Sequence, residues 1–563
     1  MDYKTLLGQI LDKAAAAEGC AEAIETPSDA ALGDYAFPCF RLAKTMRMAP
    51  PKIAHELTQK IEQPAFIAKI EAVGPYINFF LDKAVFAENT LSTALEAGEN
   101  YGRSDMGAGK TVVMDYSSIN IAKPFHIGHL STTALGNSLY RIYSFLGFTP
   151  VGINHLGDWG TQFGKLITAY KLWGEDACVD EGGIDYMMSL YVRFHEEAEK
   201  NPALDDEARA WFKKIEDGNE EALAIFQRFK DMTLREIGKL YDLLDVHFDS
   251  YAGESFYNDK MQPVIDELRE KNLLVESEGA QVVELTEYDL PPCLILKRDG
   301  TTLYATRDLA AAFYRKNTYN FYKSLYIVAY QQNLHFKQLF AVIDKMGYSW
   351  AQDMEHVNFG MVSLADGSMS TRKGHVVKLK DVLEQAIAKT RALIEEKSPD
   401  LADKDSVAND IGVGAVVFSA LSNGRIKDIV FDWDRVLNFD GETGPYVQYT
   451  HARCRSLLRK AGNGYDYACA DYTALDNDDA LAVLRQIESF PDAIVRAMTK
   501  NEPYLVTRHI VHLAQYMNKF YYDHRVIDDD REKTAARLML AEVTANTIKT
   551  GLYLLGIKAP DRM

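Results

Sequence analysis

The passage 111–154 restricts the fold more than any other part of the chain. TVVMDY at 111–116 is a β-branched, apolar run without strict alternation, the pattern of a parallel strand covered on both faces. A loop follows, then a helical pattern over 126–146 that stops at Gly147, then a second strand near 150–154. Strand, helix and parallel strand form a βαβ unit, which needs helices packed on a sheet. The expectation is an α/β protein with a Rossmann-like parallel-sheet core.

The flanks read differently. Residues 1–85 suggest a small α+β module, with helical patterns around GDYAFPCFRLAK and an alternating aromatic segment, YINFFL. After a Gly-rich joint at 105–109, the core spans 110–400 and is interrupted at about 165–290 by a mainly helical, charged insert. Phe226, Phe229, Ile237, Leu240, Tyr241 and Leu244 recur there near helical spacing. Strand signals resume at 281–285, 293–297, 302–306 and 324–330, and beyond 376 the pattern is helical, giving an all-α domain over 401–563.

Charge sets limits on partners. Lys and Arg number 62 against 81 Asp and Glu, a net charge of -19 in 563 residues, which disfavours a general nucleic-acid coat or a polybasic membrane binder. The acidity is local, however, because 165–290 alone holds 14 basic and 30 acidic residues. What is excluded is indiscriminate RNA binding; a selective RNA enzyme remains open. The six cysteines show no Cys-x-x-Cys and no zinc spacing with His, so reduced thiols and no protein metal site are expected. The N-terminus lacks a signal-peptide layout, and no apolar run approaches the ~18–20 residues of a membrane span. A soluble, cytoplasmic protein with no membrane partner is the expectation.

The chemistry concentrates after the first strand, in SSINIAKPFHIGHL at 117–130. His126 and His129 lie three apart at a helix start and project from one face. Gly128 between them lets a flat ring approach the backbone, and the helix N-terminus suits phosphate, with Lys123 just before it. Two histidines at this spacing alone are more often metal ligands or surface residues. The whole string, strand then loop then His-x-Gly-His, resembles the ATP signature of class I aminoacyl-tRNA synthetases and related nucleotidyltransferases. SSINIAKPFHIGHL and INHLGDWGTQFG are similar to the arginyl-tRNA synthetase versions, as are RDGTTLYATRDLA, QQNLHFKQLF, GMVSLADGSMSTRKG, FDGETGPYVQYTHARCRS and the terminal LGIKAPDRM. With GDYAF and VGPYINFFL, the likeness to the arginyl-tRNA synthetase family covers nearly the whole chain.

That resemblance implies arginine activation by ATP with Mg²⁺, then transfer to tRNA(Arg), with activation requiring bound tRNA. His126 and His129 would meet phosphate oxygens while Gly128 lies under adenine; Gly360, Met361 and Met369 would also border the nucleotide. The second ATP signature, a Lys-Met-Ser-Lys-Ser loop, corresponds to Ser368, Met369, Ser370, Thr371, Arg372 and Lys373. Its first lysine is replaced by Ser368, so Lys123 on the opposite loop is the candidate for the missing charge, with Ser370, Arg372 and Lys373 completing the set. Ile119 and Ser131 also depart from the family's usual Pro and Arg, and neither removes a group that the chemistry uses.

Recognition of a planar guanidinium needs carboxylates. Asp308 and Asp115 are the candidates, with Tyr304 one helical turn before Asp308 and able to pack on the guanidinium plane. An acid in a first helical turn has an ordinary explanation in the dipole, and the resemblance tips the balance towards function. It also implies contacts from Asn120, His155 and Gln332.

For tRNA, the C-terminal region supplies rings and cations suited to splayed bases: Tyr446, Tyr449, Arg453, Asn518 and Tyr521. Roughly half of such tyrosines are expected to be core. In the N-terminal module Tyr76, Asn78 and Phe79 are candidate base contacts, with sheet packing the alternative. No editing domain is expected in the insert, since a guanidinium pocket rejects analogues that lack the group. Two rivals differ in class. A catalytically dead tRNA-binding paralogue predicts erosion of the ATP and arginine motifs, which stand; a small nucleotidyltransferase does not account for the length or the helical C-terminus. A monomer is the expected state.

Overall fold

The computed structural model describes residues 3–27, 29–298, 300–364, 377–432, 436, 438, 441–462 and 465–563. The expected loop residues Ser368, Met369, Ser370, Thr371, Arg372 and Lys373 lie outside them.

The N-terminal module is a three-stranded antiparallel sheet in the order β1 (Tyr35–Pro38), β3 (Tyr76–Leu81), β2 (Ile67–Val73). Helices Tyr3–Ala15 and Pro50–Lys60 bury Leu7, Leu11, Ile53 and Leu57 in its core. The second helix opens on two prolines, whose missing N–H groups cost nothing in a first turn. Because β3 is the central strand, Phe79 is fully buried and Asn78 nearly so. A ring without exposed surface offers no face to a base, so Phe79 is a core residue and not a tRNA contact. Tyr76 is half-buried, and its ring meets the exposed Phe40 edge-on at 6.1 Å.

The core sheet is parallel throughout. β4 (Thr111–Asp115) pairs with β5 (Thr149–Ile153) on one side and β9 (Lys323–Tyr326) on the other, with β10 (Met354–His356) at the edge. Val112, Val113 and Met114 are fully buried, as the unbroken apolar run requires. The chain leaves β4 for β5 in one direction and returns as β9 on the other flank. A crevice therefore opens between the carboxyl ends of β4 and β9, where open α/β sheets bind ligands.

Between β5 and β9 runs the insert: helices Thr161–Trp173, Asp176–Lys200, Ala203–Glu216 and Glu220–Leu244, then a small antiparallel sheet of β6 (Leu274–Ser277), β7 (Ala280–Val283) and β8 (Cys293–Leu296). The strand expected at 302–306 is instead the start of a helix, Tyr304–Tyr319. Thr302 makes a single bridge to Leu296, and then Ala305, Leu309 and Ala312 bury one helical face; tertiary burial overrides the local β-branched composition.

The C-terminal region is helical except that β12 (Ile429–Phe431) returns to pair in parallel with β11 (Val362–Leu364). Helices Gly444–Ala461, Tyr504–Asp523 and Arg531–Leu554 form its centre. It is fastened to the core by buried polar contacts. Tyr143 OH donates to Asn501 at 2.9 Å, the Asn501 amide donates to Glu355 at 2.8 Å, and the Arg425 guanidinium donates to Asn358 at 2.6 Å. Arg485 pairs with Asp34 of the N-terminal module at 2.6 Å.

Candidate active site

The loop leaving β4 is held in an unfavourable shape. Ser117, Ser118 and Ala122 all have positive φ, at 68°, 42° and 57°, where side chains normally avoid the left-handed region. Each is tied down. Ser117 N–H donates to Thr132 at 3.0 Å, and the Ser117 hydroxyl bonds Thr133 at 2.9 Å and Tyr241 at 2.8 Å. Ser118 donates to Asp115 at 2.7 Å, and Ala122 N–H donates to Thr233 at 3.0 Å. Thr233 and Tyr241 lie on the insert helix Glu220–Leu244, so the insert clamps the loop.

That clamp delivers His126 and His129 to the start of helix Gly128–Phe145, with rings stacked at 3.8 Å. Nδ1 of His126 accepts from Gly128 N–H at 3.1 Å, and Nδ1 of His129 accepts from His126 N–H at 3.2 Å. Burial pushes His126 down to about 4, with Lys123 adding to the effect. It pushes His129 down to about 3, helped by His126 and Lys123. Both rings are therefore neutral near pH 7. With Nδ1 accepting, each carries its proton on Nε2 and presents a donor to an anion. Lys123 is half-buried and supplies the fixed positive charge beside them.

Residues 377–379 are joined to this loop. His126 forms an antiparallel bridge with Lys378; Ile127 N–H donates to Val377 at 3.0 Å and Leu379 N–H to Phe125 at 2.9 Å. Chain that emerges from 365–376 is thus stitched to the His-x-Gly-His loop. On the other side, Gly360 packs so closely on Lys427 that a Cβ would lie 2.5 Å from its carbonyl oxygen, and Met361 is partly exposed beside it.

Across the crevice, Asp308 sits on helix Tyr304–Tyr319. His335 Nε2 donates to its Oδ2 at 2.7 Å, and His155 Nε2 is 3.7 Å from Oδ1. Burial acts to raise Asp308, but the His335 hydrogen bond and the nearby His335, His155 and Arg315 hold it below the usual carboxylate range. The Asp308 side chain keeps 27% of its surface open. Tyr304 is 60% exposed, with its ring 5.0 Å from that of His335. Gln332 stands at the N-cap position of helix Asn333–Lys345, makes no side-chain cap bond and is exposed; Asn120 bridges Gly157, where any Cβ would strike its Oδ1 at 2.1 Å.

Asp115 is differently placed. Its Oδ2 accepts from Arg315 at 2.8 Å and its Oδ1 from Ser118, so both oxygens are already engaged. Of the two candidate carboxylates, Asp308 is the one with an open face. Arg315 and His335 escaped the sequence reading, as did Glu254, which burial pushes up to about 7 although Arg307 stands 3.7 Å away. A signal for Arg315 existed: 304, 308 and 315 are four and seven residues apart and share one helical face.

In the C-terminal region four expected residues meet. The Arg453 guanidinium lies 4.8 Å from the Tyr449 ring and 5.0 Å from that of Tyr521, and it donates to Asn518, whose amide donates to Thr450 at 2.8 Å. Tyr449, Arg453 and Tyr521 line a groove of about 630 Å³ that also takes in Lys397, Arg459, Lys460 and Arg562, with Asn518 behind Arg453. Tyr446, one turn before Thr450, is half-buried against the core.

Comparison with known proteins accords with this geometry. The family model for class I (R) tRNA synthetases, catalytic domain, matches residues 90–433; that for the DALR anticodon binding domain matches 447–563; that for the arginyl tRNA synthetase N-terminal domain matches 1–81. An arginine–tRNA ligase from Alkaliphilus metalliredigens is 53% identical over 545 residues, 96% of each chain. One from Clostridium perfringens is 51% identical over the full length of both. The solved arginyl-tRNA synthetase of Thermus thermophilus covers the whole chain with a TM-score of 0.81 at 25% identity. With paired histidines, a clamped loop and an open carboxylate on one crevice, and with relatives that match from end to end, the chain belongs to the class I arginyl-tRNA synthetase family.

Proposed function

We propose that the protein activates L-arginine with ATP and transfers it to tRNA(Arg). An arginine carboxylate oxygen attacks the α-phosphorus, the bond to the bridging oxygen breaks, and pyrophosphate leaves. A hydroxyl of the terminal ribose of tRNA then attacks the acyl carbon and AMP leaves. Such chemistry needs alignment and charge stabilisation more than covalent help. Nε2–H of His126 and His129 and the Lys123 ammonium meet the phosphates; Ser370, Arg372 and Lys373 act from the second signature, and Gly128, Gly360, Met361 and Met369 border the nucleotide. Mg²⁺ arrives on the ATP phosphates.

Arginine lies with its guanidinium on Asp308 and Tyr304, while Asn120, His155 and Gln332 orient the rest. Asp115 serves this pocket from behind, through Arg315. The observation that carries the reading is Asp308, a carboxylate kept ionised with an open face on the same crevice as the paired histidines. Tyr449, Arg453, Asn518 and Tyr521 receive anticodon bases beside Tyr446, and Tyr76 touches the outer part of the tRNA; Asn78, at 3% exposure, stays with the sheet core. The enzyme works as a cytoplasmic monomer whose activation step requires tRNA.

The deciding experiment is tRNA charging with labelled arginine against lysine and glutamate, together with pyrophosphate exchange with and without tRNA. Arginine alone is expected to be attached. Comparable attachment of lysine would overturn the reading.

A further inference from the structure

We propose that His335 is a positioning residue of the arginine pocket, fixing both side chains that take the guanidinium: Asp308 through a hydrogen bond and Tyr304 through ring contact. The inference rests on the reading of Asp308 given above and adds a residue to it.

His335 occupies the first turn of helix Asn333–Lys345, immediately after Gln332 and the end of the β9 connection. Its Nε2 lies 2.7 Å from Asp308 Oδ2. An ionised carboxylate has no hydrogen to give, so Nε2 carries the proton and donates. Oδ2 is thereby occupied, and Oδ1 is left to the crevice, since His155 at 3.7 Å is beyond hydrogen-bond range. The His335 side chain is only 10% exposed. Its ring is wedged between Tyr304 at 5.0 Å and Phe336 at 5.1 Å. Phe336 is buried and rests 4.4 Å from the ring of His356, which bonds Val328 O at 2.9 Å. A continuous packed path thus runs from the sheet to the pocket and ends on one imidazole that touches both ligands. The other neighbours of Asp308 do not duplicate this. Arg315 is committed to Asp115, and Glu254 faces Arg307.

With one oxygen anchored and the other presented to the guanidinium, a charge-assisted contact tolerates little misorientation of the carboxylate, so loss of the anchor falls on arginine binding. In tRNA-supplemented pyrophosphate exchange, His335→Leu is expected to raise the arginine KM about tenfold, with the ATP KM and kcat changed less than about threefold. His335→Gln, whose amide nitrogen can reach the same point and donate, is expected to bring the arginine KM back to within about threefold of the wild type. If His335 acts through Asp308, then adding His335→Leu to Asp308→Asn costs little beyond Asp308→Asn alone. An unchanged arginine KM in His335→Leu, with a raised one in Asp308→Asn, would overturn the role of His335 and leave Asp308 standing. An unchanged KM in Asp308→Asn would overturn the reading of Asp308 itself. Equal losses in kcat and both KM values for the Leu and Gln variants would reduce His335 to a structural residue and overturn the proposal.

Discussion

Arg315 donates to Asp115 at 2.8 Å, and the two side chains retain only 1% and 8% of their exposure. The pair stands at the root of the crevice and contributes no net charge to it. The guanidinium of Arg315 also lies 5.4 Å from the Tyr326 ring on β9, so one ion pair joins helix Tyr304–Tyr319 to two neighbouring strands. Arg315 is thereby engaged by Asp115, whereas Asp308, on the same helix, keeps 27% of its side chain open.

Truncating one member of this pair strands the other in a low-dielectric site. Arg315→Met is expected to cost about 3–5 kcal/mol, and Asp115→Asn with Arg315→Met to recover much of that. Urea unfolding of the single and double variants tests it; a loss below about 1 kcal/mol in the single variant would contradict the assigned burial.

The stacked histidines should resist protonation. Their values of about 4 and 3 lie below the ordinary one, so the unfolded chain binds more protons as pH falls from about 6.5. Stability contributed by keeping them neutral is fully present above that value and is lost as pH drops towards about 4. Nitrogen-15 spectra of labelled histidine should show both rings as neutral Nε2–H tautomers at pH 7 and still neutral at pH 5.5. Titration of either ring near 6.5 would refute the arrangement.

Gly136 should not tolerate alanine, although alanine is favoured over glycine in a helix interior by roughly 0.5–1 kcal/mol. A Cβ there would fall 2.2 Å from Cγ of the fully buried Tyr116 ring. Overpacking of this kind costs about 1–3 kcal/mol, so Gly136→Ala should lower the melting temperature. A rise in Tm would show that Tyr116 can move aside.

The Arg453 guanidinium lies 4.8 and 5.0 Å from the rings of the exposed Tyr449 and Tyr521, and a planar guanidinium can stack on rings as an ammonium cannot. Both Arg453→Ala and Arg453→Lys should raise the tRNA KM by about tenfold, while the KM values for arginine and ATP stay put. Full rescue by lysine would mean that charge alone matters at this position.

Local pattern carried the sequence reading where structure is local. The buried run 111–116, the helix beginning at the His-x-Gly-His motif and the helical end were legible because period and composition agree with burial. Residues 302–306 misled because Thr and Tyr favour strands, and only contacts with Ile295 and its neighbours, such as the bond from Thr306 Oγ1, select a helix. The pairing of β11 with β12 joins three-residue strands some sixty-seven positions apart, too short and too distant for any periodic signal. The Asp115–Arg315 pair spans 200 positions, and no neighbour of either residue announces the other. Phe79 shows the converse error: an aromatic at a suggestive position that the central strand simply buries. The acidic insert was visible as a charge imbalance; that its helix Glu220–Leu244 clamps the loop leaving β4 through Thr233 and Tyr241 was not.

Helix Tyr504–Asp523 begins two residues after Glu502, which is anchored to Arg425 beside Asn358, and carries Asn518 and Tyr521 in its last two turns. Its 20 residues make a rod of about 30 Å between the core and the basic groove. The rod also fixes phase: one residue added within it would turn Asn518 and Tyr521 about 100° around the axis and away from Arg453. A single helix, by its length and phase, thus sets how far from the core and in which direction Asn518 and Tyr521 stand.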